Sequence, residues 1–311
     1  MKNSKTIIQK LRNNYLDNNV YIKRDDLYPV SFGGNKARKA INFFREIDEG
    51  HYDCVLTYGS SSSNHCRVIA NMCASRGLPC YIISPDEGET TYNSKMFEWF
   101  GAKIIKCNIS KVKETINYTL NHLQEKGGTP YFIQGGGHGD LGTKAYVEVY
   151  NEIIDYESEA GVQFDYIFHA SGTGTTQAGL ICGKHLNRDY DRKIVGISIA
   201  RNHSRGKQII QESAENYLQS VDSSTLLNKK EVIFDDSFTM GGYGITNEEI
   251  EYNIKDILFK EGLPLDPTYT GKAFLGMIKY LDRESLFNKN VLFIHTGGTP
   301  LFFDFLKGMK N

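Results

Sequence analysis

One pattern constrains the fold of this chain more than any other: short apolar runs alternate with longer segments at helical spacing along most of its length. "DCVLTYG" (53–59) leads into "HCRVIANMCASRG" (65–77), where Gly77 marks a stop. "PCYIIS", "AKIIKC" and "TPYFIQ" read as further strands, and "YNSKMFEWFG" and "VKETINYTLNHLQEKGG" as the helices between them. After a glycine-rich turn at Gly135–Gly139 and a helix to about Ile153, "FDYIFHA", "KIVGISIA" and "VLFIHTGG" supply three more buried strands. Such alternation predicts a parallel α/β architecture with two sheets, because parallel strands need helical crossovers. At 311 residues the chain is long enough for two lobes. "AENYLQSVDSSTLLNKKE" (214–231) reads as a polar connection.

Composition excludes several classes of function. A formal net charge of −1 gives no electrostatic footprint for nucleic acid or an anionic membrane. No apolar run approaches the ~20 residues that cross a bilayer, and Met1–Gln9 lacks the apolar stretch of a signal peptide. The six cysteines form no CxxC pair and mostly sit in apolar stretches, as expected of reduced thiols in a cytoplasmic protein without a structural metal.

Four segments carry chemistry. In "IKRDDLYPVSFGGNKARKA" (22–40), Lys36 directly follows the turn Phe32-Gly33-Gly34-Asn35 and opens a helix. The plain reading is a loop with a surface lysine. The chemical reading is a Schiff-base lysine, with glycines letting an aldehyde cofactor approach the main chain. In "TYGSSSSNHCRVIA" (57–70) a strand end, Ser63, Asn64 and His65 run into a helix, either a simple cap or a carboxylate site at the helix N-terminus. "FHASGTGTTQAGL" (168–180) places Gly172, Thr173, Gly174, Thr175 and Thr176 between strand and helix, a phosphate cup lacking both the P-loop lysine and the dinucleotide fingerprint. "VLFIHTGGTPLFF" (291–303) delivers His295, more simply a core histidine, and Thr296, whose hydroxyl can meet an aromatic nitrogen.

Together these residues resemble the pyridoxal-phosphate enzymes of the tryptophan-synthase-β (type II) fold, in the branch of D-cysteine desulfhydrase and 1-aminocyclopropane-1-carboxylate deaminase. The likeness runs through "KRDDL", "GGNKARK", "SNH", the glycine–threonine loop, "GGYG", "LDPTYTGKA" and "HTGGTP", in order over nearly the whole chain. It implies a small domain at 41–150 and a large cofactor domain made of 1–40 plus 151–311, in a homodimer. It implies that Lys36 carries pyridoxal 5'-phosphate and moves protons, that Asn64 bonds the phenolic oxygen, and that Gly172–Thr176 with Lys39 hold the phosphate. Ser63, Asn64 and His65 match the substrate-carboxylate site, Ser63 a catalytic serine, Thr296 the residue facing the ring nitrogen, and Tyr243 and Tyr269 two active-site tyrosines. The implied reaction is β-elimination from a small amino acid, D-cysteine the best single substrate. Ring opening of aminocyclopropane carboxylate, β-replacement and cofactor binding without catalysis are the alternatives. Thr270 stands where the deaminases carry glutamate, which disfavours ring opening. Ser62 replaces a usual glutamine, Thr175 a usual glycine, and "GGGHGDLGTKAY" departs from the family loop, so His138 and Asp140 are expected to line a different pocket.

Overall fold

The computed structural model describes residues 4–85, 90–221, 227 and 231–309. In chain order the elements are β1 (Ile8–Lys10), β2 (Asn19–Lys23), α1 (Asn35–Glu49), β3 (Cys54–Tyr58), α2 (Asn64–Ala74), β4 (Cys80–Pro85), α3 (Tyr92–Trp99), β5 (Lys103–Cys107), α4 (Val112–Glu125) and β6 (Pro130–Phe132). There follow α5 (Asp140–Ala160), β7 (Tyr166–Ser171), α6 (Thr175–Leu186), β8 (Lys193–Ser198), α7 (His203–Val221), β9 (Ile233–Asp235), α8 (Glu248–Glu261), α9 (Thr270–Arg283), β10 (Asn290–Ile294) and α10 (Thr299–Gly308).

The alternation builds two mainly parallel sheets flanked by helices. One has the order β5-β4-β3-β6 and the other β1-β2-β10-β7-β8-β9, with β1 antiparallel to β2. Each order doubles back: β6 returns to the far side of β3, and β10 to the far side of β7. At such a reversal a crevice opens outside the carboxyl ends of the two strands. The Ser63–His65 and Gly135–Gly139 segments follow β3 and β6, while Gly172–Thr176 and Thr296 follow β7 and β10. The chemical segments thus fall at the two switch points.

Alternation within the strands divides the larger sheet's core. Ile167, Ile194, Leu292 and Ile294 join the cluster with α5, α6 and α7. Their neighbours Phe168, Val195, Val291 and Phe293 join the opposite cluster with α8 and α9. A third cluster binds α1 and α2 to the smaller sheet through Phe44, Val55, Ile69 and Ile82. Every residue of α1 from Ala37 to Phe44 is buried, Arg38, Lys39 and Asn42 included. Arg38 is held by Asp25 at 2.9 Å and Glu152 at 2.7 Å, and Lys23 by Glu152 at 2.6 Å. Tyr146 donates its hydroxyl to Asp25 at 2.8 Å. The charged "KRDDL" motif is therefore an internal ion cluster that locks α1 to β2 and α5.

Two expectations change. The 214–231 segment begins as helix, since α7 runs to Val221 with Ala214, Tyr217 and Leu218 buried along one face; 222–226 and 228–230 lie outside the described residues. The helix expected to end near Ile153 continues to Ala160, where Gly161 adopts the left-handed cap.

Candidate active site

The lysine loop is built by close backbone packing. Ser31, Phe32, Gly33 and Gly34 all have positive φ, from 44° to 91°. A Cβ on Gly34 would lie 2.6 Å from the Thr296 carbonyl oxygen, and one on Gly297 2.7 Å from the Gly34 Cα. Asn35 donates its N–H to the Thr296 carbonyl at 3.0 Å. The glycines thus serve main chain packed on main chain, which joins the Lys36 loop to the Thr296 loop.

Lys36 then projects, half-buried, into the crevice and donates to the Gly136 carbonyl at 3.0 Å. Burial first, and then the Arg201 guanidinium, lower its pKa from 10.5 to about 8. An inner chamber of about 30 Å3 is lined by Lys36, Asn64, Gly172, Thr173, Thr176 and Thr296. A wider one of about 330 Å3 is lined by Lys36, Ser63, His65, Arg201, Tyr243 and Tyr269. Lys36, Gly172, Thr173 and Tyr269 border both chambers, so they form one cleft. Among the described residues, no Asp or Glu lines either.

At the first turn of α2, Ser63 caps the helix by accepting the Cys66 N–H at 3.2 Å, leaving its own proton free to donate. The Asn64 Oδ1 accepts from Arg67 at 2.7 Å and from Asn93 at 3.1 Å. That fixes the amide with its NH2 free at the chamber it lines. His65 is buried against Thr57, Nε2 to Oγ1 2.9 Å, and the Thr57 proton goes to the Ile133 carbonyl at 2.8 Å. His65 must then donate from Nε2, and burial followed by Lys36 and Lys39 lowers its pKa well below 6.5, so the ring is neutral.

Gly172–Thr176 opens α6, with Gly174 at φ 98°. Asn35 donates to the Thr176 hydroxyl at 3.1 Å, and Lys39 to the Thr175 hydroxyl at 2.6 Å. Lys39 is fully enclosed behind the loop and reaches the cup through Thr175, its pKa well below 10.5 from burial and then Lys36. Tyr243 and Tyr269 share a hydroxyl–hydroxyl bond of 2.6 Å. Burial, and then Tyr243, raises the Tyr269 pKa well above 10.

Three residues sit elsewhere than expected. Thr270 is buried outside the cleft and donates to Asp266 at 2.8 Å. That carboxylate also accepts the N–H groups of Thr268, Tyr269 and Thr270 and lies against Gly298, so an acid does occur near the Thr296 loop. Asp140 is exposed in the first turn of α5, and neither it nor His138 lines the two chambers, though His138 bonds the Thr173 backbone beside them. His295 is a satisfied core histidine, accepting the Gly297 N–H at 3.3 Å. Sequence reading also missed Arg67, Arg201 and Lys272. Lys272 donates to the carbonyls of Thr239 and Gly242 at 2.9 Å and of Ile199 at 3.3 Å, tying the Tyr243 loop to the end of β8. The available signal was a lone cation inside an apolar run, as in "HCRVIA" and "SIARN".

A half-buried amine of lowered pKa, an amide donor, a hydroxyl and a glycine–threonine cup at a helix N-terminus converge in one acid-free cleft. This donor set fits an aldehyde cofactor bearing a phosphate. Residues 2–297 match the family described as pyridoxal-phosphate dependent enzymes. The chain is 30% identical over 309 residues to a D-cysteine desulfhydrase of Yersinia pestis (strain Pestoides F), covering 96% of this chain and 92% of that protein. It is 32% identical over 303 residues to one from Salmonella typhi, covering 93% and 89%. The crystal structure of an ACC deaminase homologue superposes with a TM-score of 0.87 at 29% identity, covering 98% of this chain and 93% of that one. The chain belongs to the pyridoxal-phosphate-dependent enzyme family, and its cofactor is pyridoxal phosphate.

Proposed function

We propose that this chain is a lyase of the D-cysteine desulfhydrase type. It removes the β-substituent of a small D-amino acid and yields a 2-oxo acid, ammonia and the leaving group, sulfide in the case of D-cysteine. The observation that carries this is the placement of Lys36, Ser63 and Tyr269 around one cleft without carboxylates. The resemblance to two D-cysteine desulfhydrases over nearly the full length supports it.

When bound, the cofactor's pyridine ring draws electrons from the carbon bearing the amino group, so that its proton is acidified and a β-substituent can depart. Lys36 would hold the cofactor and, once displaced by the substrate amine, take that proton; a pKa of about 8 suits a base near neutral pH. Ser63 and the free N–H groups of the first turn of α2 would bind the substrate carboxylate. Asn64 would donate to the cofactor's phenolic oxygen, and Gly172–Thr176 would cup the phosphate, with Lys39 acting through Thr175. Thr296 would offer the ring nitrogen a hydroxyl, which does not keep it protonated as a carboxylate would, and this favours elimination. Tyr269, with its proton shared with Tyr243, would return a proton near the reacting carbons.

The finer organisation follows the same reading. We place the small domain at 41–150, which contains all four strands of the smaller sheet, and the large domain at 1–40 plus 151–311. The exposed side chains of Phe32, Trp99 and Phe303 border an apolar pocket suited to a homodimer contact. No described helix is long and apolar enough to cross a membrane. The free cysteines, all but Cys107 buried, suit a cytoplasmic setting.

Purified protein should absorb visible light, and hydride reduction should fix the cofactor to Lys36, as read by peptide mass spectrometry. Lys36→Ala should lose both the adduct and the release of pyruvate and sulfide from D-cysteine. Tyr269→Phe should slow turnover by about tenfold or more while cofactor binding persists. Protein that ignores added cofactor, or turns over aminocyclopropane carboxylate but no β-substituted amino acid, would defeat the reading.

A further inference from the structure

Arg201 stands where β8 ends, on the wall that the larger sheet gives to the outer chamber. Its backbone is pinned: Ser198 donates its hydroxyl to the Arg201 carbonyl at 2.8 Å, and Lys272 holds the Ile199 carbonyl at 3.3 Å. Its Nη1 is buried and has no hydrogen-bond partner. Burial and then Arg205 lower its pKa while the Tyr58 phenol opposes them, and it also faces Lys36 and His138; no carboxylate is among these groups. A guanidinium on a held backbone that lines this chamber, has no counter-ion among the described residues and meets no acid on the chamber wall is a receptor for an anion. The substrate carboxylate already has a place at the first turn of α2, on the wall given by the smaller sheet. The chamber, about 330 Å3, has room for roughly ten waters at ~30 Å3 each, enough for a substrate's β-substituent beside its carboxylate.

We propose that Arg201 determines specificity by pairing with negative charge on the substrate's β-substituent, so that this chain takes amino acids whose leaving group carries or develops an anion. The proposal rests on the lyase reading. In the step it serves, Lys36 takes the α-proton and the bond from Cβ to the substituent breaks. The substituent leaves with the electron pair as an anion facing Arg201. Water then hydrolyses the unsaturated three-carbon amine to pyruvate and ammonia, so no oxidant or reductant is required.

The test mixes holoenzyme rapidly with D-cysteate, whose β-sulfonate is anionic, and with D-alanine, which has no substituent, following the cofactor's visible absorbance in the binding phase before turnover. Wild type should bind D-cysteate at least about 30-fold more tightly, equivalent to ~2 kcal/mol. At a pH above about 9, where the Lys36 amine is free with or without the guanidinium, Arg201→Gln should reduce that preference to about threefold or less while binding D-alanine and the cofactor as before, and Arg201→Lys should restore part of it. In turnover, Arg201→Gln should raise KM for S-sulfo-D-cysteine and leave KM for β-chloro-D-alanine, whose substituent is uncharged until it departs, within about twofold. A wild-type preference near one overturns the proposal without any variant. Equal weakening of both ligands would make Arg201 a support of the common carboxylate site. Lost cofactor affinity would assign the guanidinium to the phosphate. If the D-cysteate preference depends on Arg201 but no β-substituted amino acid is consumed, only the lyase reading falls.

Discussion

Buried cations in this protein live under two regimes. Beneath α1, Lys23 and Arg38 are enclosed with Asp25 and Glu152, at 2.6–2.9 Å in their shortest pairs. The Asp25 carboxyl stays below its ordinary range despite complete burial, because Arg38 and Lys23 outweigh desolvation. Around the cleft, Lys36 and Lys39 meet a carbonyl and a hydroxyl, Arg67 meets two amides and a carbonyl, and Arg201 has an unused donor. None of these four forms an ion pair among the described residues. Removing an ion from water without a counter-charge costs several kcal/mol. Among the described residues the fold bears that cost at the cleft, where phosphate and carboxylate groups arrive with the ligands, and at Lys272, which three carbonyls hold in place of a counter-ion. Burial alone marks the scaffold; burial without a partner marks the site.

The largest test of this contrast is on the paired side. Asp25→Ala leaves Arg38 and Lys23 to share Glu152 and orphans the buried Tyr146 hydroxyl, and should cost about 3–5 kcal/mol of stability, seen equally in apoprotein and holoenzyme by denaturant unfolding. A loss below ~1 kcal/mol would dissolve the distinction. On the unpaired side, Lys39→Met should leave apoprotein unfolding within about 1 kcal/mol of wild type, while cofactor affinity measured by titration falls roughly 10–100-fold. A destabilisation as large as that of Asp25→Ala would make the cleft cations structural.

The smallest effect is in pH. The Lys36 amine gives up its proton near pH 8 in the fold and near 10.5 when unfolded. The unfolded chain therefore binds more protons between these values, and apoprotein stability should rise with pH across that window and gain nothing from Lys36 below it. Covalent uptake of cofactor by apoprotein should speed up about fivefold from pH 7 to 8 and level off above 9, in stopped-flow absorbance. Arg201→Gln should move that midpoint upward, because the guanidinium helps to hold the amine's pKa down. An unmoved midpoint would separate Arg201 from Lys36.

The sequence shows the cleft's loops more readily than its supports. Gly172–Thr176 and "SSSSNH" are legible because glycines and hydroxyls between strand and helix have few other uses. The central strands β3, β7, β8 and β10 are legible as apolar runs. The strand β2 is hidden because it ends in Lys23 and leads into a charged motif whose partner, Glu152, lies 129 residues away. The strands β1 and β9 have three residues each, too short to show a period. Asn93 and Lys272 were hidden for the reason that hid Glu152, and Arg67 showed only as a lone cation in an apolar run: a buried polar side chain is explained by partners that only the folded chain supplies.

The pairing of β2 with β10 also sets the order of assembly during synthesis. Asn19 bonds Asn290, 271 positions later, and Asn35 bonds the Thr296 carbonyl. A growing chain can close the smaller sheet as soon as β6 emerges, since its four strands are then complete. The larger sheet must wait for β10, its neighbour on both β2 and β7. Until then Lys36 has no Thr296 loop to rest on, so the ribosome releases a protein that acquires its chemistry last.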